Sequence, residues 1–351
     1  MTAASLDIPV AAASFGFDGR KFSVASLDAT VMGTRVAGNG AMLLAADPKV
    51  YLSLRAADLP MKEWKKAFPD AALLSGAMDR LTATVSGTMS SLRSVVTIQT
   101  VRLSVAGFAV KNITGHVDIR PDGYGVDFLG TVAGTPLHVA GKGRGNDAPR
   151  LEIRSDRIDL AALAADVPEL SGLGISGFAR GEATVAGRKI RASLDGKNLR
   201  IADLPVDAAS VSLNGTTTQL SLDAIDLTSE GSALSGRGTV KIRDGSPLLA
   251  LAGSGKLQQK TAARLISDIP LSGPVTFAWS VEGRADDPVV TLDAEGRNLT
   301  LAKKIPVPSL TLRARYENGS VALREAGAIL LGGTVSLRGD VRQIGSKPRM
   351  S

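Results

Sequence analysis

The tripeptide Leu-Ser-Gly stands at Leu74-Ser75-Gly76, Leu170-Ser171-Gly172 and Leu271-Ser272-Gly273, at spacings of 96 and 101 residues. Each copy follows a short helical stretch ending in proline, at Pro69, Pro168 and Pro270. About ten residues later comes an apolar-x-Gly step: Val85-Ser86-Gly87, Val185-Ala186-Gly187 and Val281-Glu282-Gly283. A further set keeps the same beat: Val36-Ala37-Gly38, Val139-Ala140-Gly141, Leu234-Ser235-Gly236 and Leu337-Arg338-Gly339. Several markers in a fixed order at a fixed interval define an array of units of roughly a hundred residues, each touching its sequence neighbours. The approximate units are 22–110, 111–206 and 207–307, with a partial unit at 308–344, all within one continuous array over 1–351. The partial unit is expected to mark a segment of a longer protein.

Within each unit, apolar residues alternate with polar ones. Leu310, Leu312, Ala314 and Tyr316 face one way, and Thr311, Arg313 and Arg315 the other. The same period of two runs through Leu81, Ala83 and Val85, through Ile190, Ala192 and Leu194, and through Phe277, Trp279 and Val281. That is the pattern of a strand with one face buried and one wet. Strands buried on both faces in a parallel sheet would read as unbroken apolar runs, so the pairing is antiparallel. Asp122-Gly123, Asn214-Gly215, Asp244-Gly245 and Asn318-Gly319 each separate two such runs, as tight hairpin turns do.

One short helix belongs to each unit. Asp58 is placed to cap the first, with Pro60 in its first turn and Met61, Trp64 and Phe68 on one stripe. Asp159 caps the second, whose apolar side carries Leu160, Leu163, Ala164 and Val167. The third runs from about Gln258 to Ser267, with Ala262, Leu265, Ile266 and Ile269 facing the sheet. Helices of about ten residues do not stand alone in water, so each must dock on the sheet. The fold class is therefore all-β, mainly antiparallel, with a few short helices.

Composition narrows the chemistry. With no cysteine there is neither a disulfide nor a thiolate metal site. The formal charge of +7 is spread along the chain without a basic tract, so it fits the wet faces of strands and no nucleic-acid partner. His116 and His138 fall in adjacent strand regions without acidic partners at ligand spacing, and read as polar-face residues. Gly141-Lys142-Gly143-Arg144-Gly145 lies between two strands, where a phosphate loop needs a strand and a helix. It reads as a bulge or turn. Asp286-Asp287, followed by Pro288, reads as a loop rather than a cation site. No nucleophile elbow or zinc pattern is present; the expectation is no enzyme, no cofactor and no metal.

What remains is the apolar face, made of Val, Ile, Leu and Ala, since aromatics are only 4% of the chain. Hiding it from water is worth about 25 cal/mol per Å². The sheet can close into a barrel, pack on a second sheet, or curl into a trough that takes up something greasy.

The order of short helix, Leu-Ser-Gly, a strand ending in Val-x-Gly, and a strand such as residues 289–299 resembles the AsmA-like superfamily, which includes TamB-type and YhdP-type proteins. Residues 189–199 and 94–103 are similar stretches, and the likeness covers about 22–344. The resemblance implies an elongated, twisted, U-shaped β-groove in the periplasm of Gram-negative bacteria, moving phospholipid between inner and outer membrane. It implies phospholipid acyl chains as ligand, with an inner-membrane anchor and an outer-membrane partner outside this segment. The residues expected to line the groove are Leu81, Val85, Ile190, Leu194, Phe277, Val281, Val290, Leu292, Leu310 and Leu312. Two rival readings stand beside it. One is a structural or adhesin-type β-repeat protein with a self-filled core; the other is a helper in outer-membrane protein assembly.

Overall fold

In the computed structural model, the residues described are 10–31, 33–62, 74–105, 108–145, 147–166, 174–202, 204–216, 218–243, 246–261, 271–302, 304–342 and 349–350. They are nearly all antiparallel β-sheet. The chain divides into two compact units, Met1–Asp166 with Thr184–Gly187, and Val167–Ala183 with Arg188–Ser351.

The first unit is a meander. Its strands are β1 (Val10–Phe17), β2 (Lys21–Val31), β3 (Thr34–Leu43), β4 (Lys49–Pro60), β5 (Leu74–Thr88), β6 (Ser91–Val105), β7 (Phe108–Arg120), β8 (Gly123–Val132), β9 (Thr135–Gly143) and β10 (Arg150–Asp159). Each pairs antiparallel with the strand before it. Helix α1 (Leu160–Asp166) follows, and β11 (Ile175–Ala186) has residues in both units.

The second unit repeats the design with β12 (Lys189–Ile201), β13 (Leu204–Thr216), β14 (Gln219–Ser229), β15 (Ser232–Arg243), β16 (Ser246–Leu257), β17 (Leu271–Ser272), β18 (Val275–Arg284), β19 (Asp287–Leu301), β20 (Ile305–Glu317), β21 (Ser320–Leu330), β22 (Gly333–Arg342) and β23 (Arg349–Met350). The long strands pair in succession, β16 directly with β18. The two-residue strands β17 and β23 add to β19 and β22.

The sequence period corresponds to six long strands, because the same hairpin returns at β2–β3, β8–β9, β14–β15 and β21–β22. Its turn places two residues at positive φ: Ala133 and Gly134 at 48° and 75°, Glu230 and Gly231 at 47° and 80°, Leu331 and Gly332 at 49° and 83°. That twist matches the strands it joins. The next residue is buried as Thr34, Thr135 and Ser232. Counted from this turn, the markers at 139–141 and 337–339 sit one rung further along than those at 36–38 and 234–236. Strands β2, β14 and β21 share a register shift, at Val24/Leu27, Leu222/Ile225 and Leu323/Ala326. One extra residue, so that two oppose one, bends the strand and sharpens its twist.

The Leu-Ser-Gly marker has a packing cause. Asn298 adopts φ 53°, which turns Leu299 inward to 1% exposure. A Cβ on Gly273 would lie 2.7 Å from one Leu299 methyl, and a Cβ on Gly296 2.5 Å from the other. Asn198 and Leu199 repeat this against Gly177 and Gly196, where Gly177 ends Ile175-Ser176-Gly177; the marker at 170–172 lies outside the described residues. In the first unit, Leu103 stands opposite Gly76 and joins a buried cluster with Ala56, Leu59, Met61 and Met78. In each unit, buried leucines thus sit beside these glycines.

Several expectations meet the structure here. Asp159 caps α1, accepting hydrogen bonds from the Ala161 and Ala162 amides at 3.0 and 3.1 Å, and Leu160 and Ala164 are buried. Asp58 is not a cap: it lies inside β4 at φ 52°, a left-handed position that Asp tolerates, and it turns Leu59 inward. Trp64, Phe68, Val167 and most of the third helix lie outside the described residues, as does Asp244-Gly245. Asn318-Gly319 joins a hairpin as expected, at φ 51° and 69°, whereas at β7–β8 the turn residues are Pro121 and Asp122 and Gly123 is already paired with Arg120. Asn214-Gly215 joins no hairpin, since both residues are paired within β13. The β13–β14 turn comes after Thr216, whose Oγ1 accepts from the Gln219 amide at 3.2 Å. Gly215 is there because a Cβ would lie 2.2 Å from the Gln219 carbonyl oxygen.

Candidate functional site

In the second unit the alternating aliphatic residues form continuous rows across the sheet. Phe277, Ala294 and Leu312 are successive partners from β18 to β20, and so are Trp279, Leu292 and Ala314, and Val281, Val290 and Tyr316. Toward β15 the rows continue through Gly255 to Leu234, and through Gly253 to Gly236. The glycines accommodate the two large rings. A Cβ on Gly255 would lie 2.3 Å from the Phe277 ring, and one on Gly236 2.4 Å from the Trp279 indole. Both rings therefore lie flat against the sheet and do not plug the space above it.

An apolar cavity of about 460 Å³ opens above these rows. Leu292, Leu310 and Leu312 line it from β19 and β20; Leu204, Leu227 and Leu234 line it from β13 to β15. Five strand pairings separate β14 from β20, about 24 Å along a flat sheet at about 4.8 Å per pairing. Side chains that far apart enclose one cavity only because the sheet of this unit curls around it.

The polar groups at the cavity are already engaged. Ser232 Oγ donates to Thr261 Oγ1 at 2.8 Å and accepts from the Gln258 amide at 2.8 Å. Thr261 Oγ1 donates to the Ser229 carbonyl at 3.1 Å, and Ser229 Oγ to the Pro205 carbonyl at 2.6 Å. These hydroxyls tie the start of the third helical stretch to the hairpin rim. They leave a wall of methyl and methylene groups with nothing to orient a polar ligand. Its volume lies within the range of about 300–1,000 Å³ common for small-ligand pockets.

Of the ten residues singled out in the sequence, Phe277, Leu292, Leu310 and Leu312 line this cavity. Val281 and Val290 continue the same face on the row next to Leu292, and Ile190 and Leu194 lie on β12. Leu81 and Val85 lie on β5 in the first unit, where Leu81 packs against the buried cluster. All ten are half-buried, none fully. A self-filled interior would bury such residues almost completely. Leu204, Val206, Leu227, Leu234, Leu257 and Val275 are lining residues that the sequence reading did not single out. Their signal was the same alternation of apolar and polar residues.

The remaining chemistry lies elsewhere. His138 Nε2 is 3.1 Å from Asp127 Oδ1, so it has an acidic partner the sequence spacing did not reveal; Asp127 also stands opposite His116 in register. Register placed them together, since residues eleven and more apart in sequence meet across neighbouring strands. Both ring and carboxylate of the His138 pair are largely exposed. Among the described residues, no group of three His, Asp or Glu has the geometry to hold a metal ion. Gly141 and Gly143 are within β9, and Gly145 follows at φ 52° in the loop to β10. Asp286 sits in the β18–β19 turn, held by Arg284 at 2.9 Å.

The outer face carries ion pairs. Arg93 and Arg120 both grip Asp118, each at 2.8 Å, and their hydrogen bonds hold its carboxyl well below the usual carboxylate range. Arg313 reaches Glu325 at 3.1 Å. One side of the sheet is thus wet and charged, the other aliphatic.

No protein-family model, curated protein or solved structure matches this chain.

Proposed function

We propose that this chain is a non-enzymatic lipid-binding and lipid-conducting segment, whose half-buried aliphatic face takes up the acyl chains of phospholipid. The observation that carries this reading is the cavity of about 460 Å³ walled by Leu204, Leu227, Leu292, Leu310 and Leu312, with its neighbouring hydroxyls already paired. Such a wall attracts hydrocarbon through burial alone, about 0.8 kcal/mol for each methylene withdrawn from water. Without a hydrogen bond to break, a chain slides from one rung of leucine and valine to the next. The repeat supplies similar aliphatic rungs, so adding periods extends the path. The resemblance to AsmA-like envelope proteins supports a periplasmic setting for this activity, between an inner-membrane anchor and an outer-membrane partner.

The test is native mass spectrometry of protein purified without detergent. Bound phospholipid is expected, and it is expected to be lost in Leu292→Asp and Leu312→Asp variants that remain folded. Those variants are also expected not to restore envelope integrity in a deletion strain. A bare mass after reconstitution with phospholipid, or full restoration by the variants, would refute the proposal.

A further inference from the structure

The stretch Gly141-Lys142-Gly143-Arg144-Gly145 has no part in the proposed lipid site, and it borders a depression of about 630 Å³ in the first unit. One row of the wet face runs in register across four strands there: Asp118 on β7, Gly125 on β8, Lys142 on β9 and Arg150 on β10. Arg120 and Arg144 also line the depression, and Asp122 and Asp147 complete its charged wall. The loop between β9 and β10 is held in place. The Asp147 amide donates to the Arg144 carbonyl at 2.9 Å, and the Tyr124 hydroxyl donates to the Asp147 carbonyl at 3.0 Å.

The glycine in the middle of the row is the informative residue. The other strand glycines here are required by packing. A Cβ would lie 2.4 Å from the Gly143 carbonyl oxygen at Gly123, 2.6 Å from the Arg150 carbonyl oxygen at Gly141, and 2.5 Å from the Tyr124 ring at Gly143. At Gly125 the nearest atom beyond its chain neighbours would be 3.8 Å away, and the pairing on both sides continues there without a register shift. Glycine inside a strand weakens it and marks a bulge, a bend, or a close approach of backbone or ligand. Gly125 has neither a bulge nor a backbone pressed against it; what it supplies is open space between Asp118 and Lys142.

The charges define what fits that space. Arg93 and Arg120 share Asp118, while Lys142, Arg144 and Arg150 have no ion-pair partner among the described residues. These five cations face the three carboxylates of Asp118, Asp122 and Asp147, an excess of two positive charges. A phosphate monoester carries about −1.5 to −2 at neutral pH, and arginine forks match its oxygens. The volume is far more than a phosphate group fills and lies in the small-ligand range of about 300–1,000 Å³. Asp122 and Asp147 are acceptors for hydroxyl groups on the organic part of such an ester.

We propose that this depression binds a polyol phosphate, its phosphate held by Lys142, Arg144 and Arg150 over Gly125 and its hydroxyls turned toward Asp122 and Asp147. Isothermal titration calorimetry of the full chain tests it, with glycerol 3-phosphate and inorganic phosphate as probes. Saturable binding of glycerol 3-phosphate is expected, with weaker binding of inorganic phosphate. Gly125→Asp puts a carboxylate into the open space and is expected to weaken binding about tenfold or more, because like charges then meet. Lys142→Gln and Arg150→Gln change exposed side chains, so they decide the matter even if Gly125→Asp folds poorly. Each is expected to weaken binding about tenfold, the effect of one lost charge-assisted hydrogen bond. Vesicles containing phosphatidic acid identify the source of the phosphate. Co-sedimentation that these variants abolish assigns a lipid headgroup, and its absence a soluble compound. No saturable binding of glycerol 3-phosphate, equal affinity for inorganic phosphate, or affinity unchanged in the Gln variants would each overturn the proposal. None of these outcomes bears on whether the aliphatic cavity takes up acyl chains.

Discussion

Leu292→Asp separates an open apolar trough from a self-filled core, because the two assign the new carboxylate opposite surroundings. Leu292 lies between Trp279 and Ala314 in register and is half-buried at the cavity wall. Full burial of a leucine is worth about 1.5–3 kcal/mol, so removing a half-buried one costs about 1–1.5 kcal/mol. The poor fit of Asp in a strand adds up to about 1 kcal/mol. In a trough the carboxylate stays hydrated and ionised, and the total is about 2 kcal/mol. In a closed core it would be stranded, at several kcal/mol beyond that. Urea unfolding followed by circular dichroism measures the difference as a shift in midpoint at unchanged slope. A loss above about 4 kcal/mol, or failure to fold, would refute the reasoning.

Other variants probe the supports of that face. Leu299→Ala removes a side chain 1% exposed between Gly273 and Gly296, and is expected to cost about 3 kcal/mol in the same urea measurement. Leu310→Ala, half-buried at the cavity, should cost clearly less. Asp159→Ala removes the cap of α1 and should cost about 1 kcal/mol, with faster exchange of the Ala161 and Ala162 amides. Asp118 has its carboxyl pKa lowered by hydrogen bonds from Arg93 and Arg120, so its contribution is complete above the unfolded value near about 3.9 and fades only as pH falls below it. The midpoint difference between the parent chain and Asp118→Asn should therefore be constant from about pH 5 to 8 and shrink in stronger acid.

The strand pattern was legible because its period of two is local: any residue and the one two along face the same way. The cap at Asp159 was legible for the same reason, as a side chain reaching amides two and three residues ahead. Asp58 misled because a residue suited to capping is also suited to a left-handed position inside a strand. Asn214-Gly215 misled because a glycine required by a neighbouring carbonyl looks like a glycine required by a turn. The curl that creates the cavity left little trace, since the bulges at Ala25-Ser26, Asp223-Ala224 and Arg324-Glu325 have no residue type common to all three. The role of Ser232 and Thr261 was equally hidden, because they meet across 29 residues of chain.

The sidedness of lipid contact is the most direct test of the account. A photo-crosslinking amino acid placed at Leu292, facing the cavity, and at Asp293, its exposed neighbour on the opposite face, differs only in which way it points. After ultraviolet exposure in phospholipid-loaded protein, covalent lipid adducts are predicted at position 292, repeated at 310 and 312, and absent at 293. Equal labelling on both faces, or none at 292, would contradict a lipid path along the aliphatic side of this sheet.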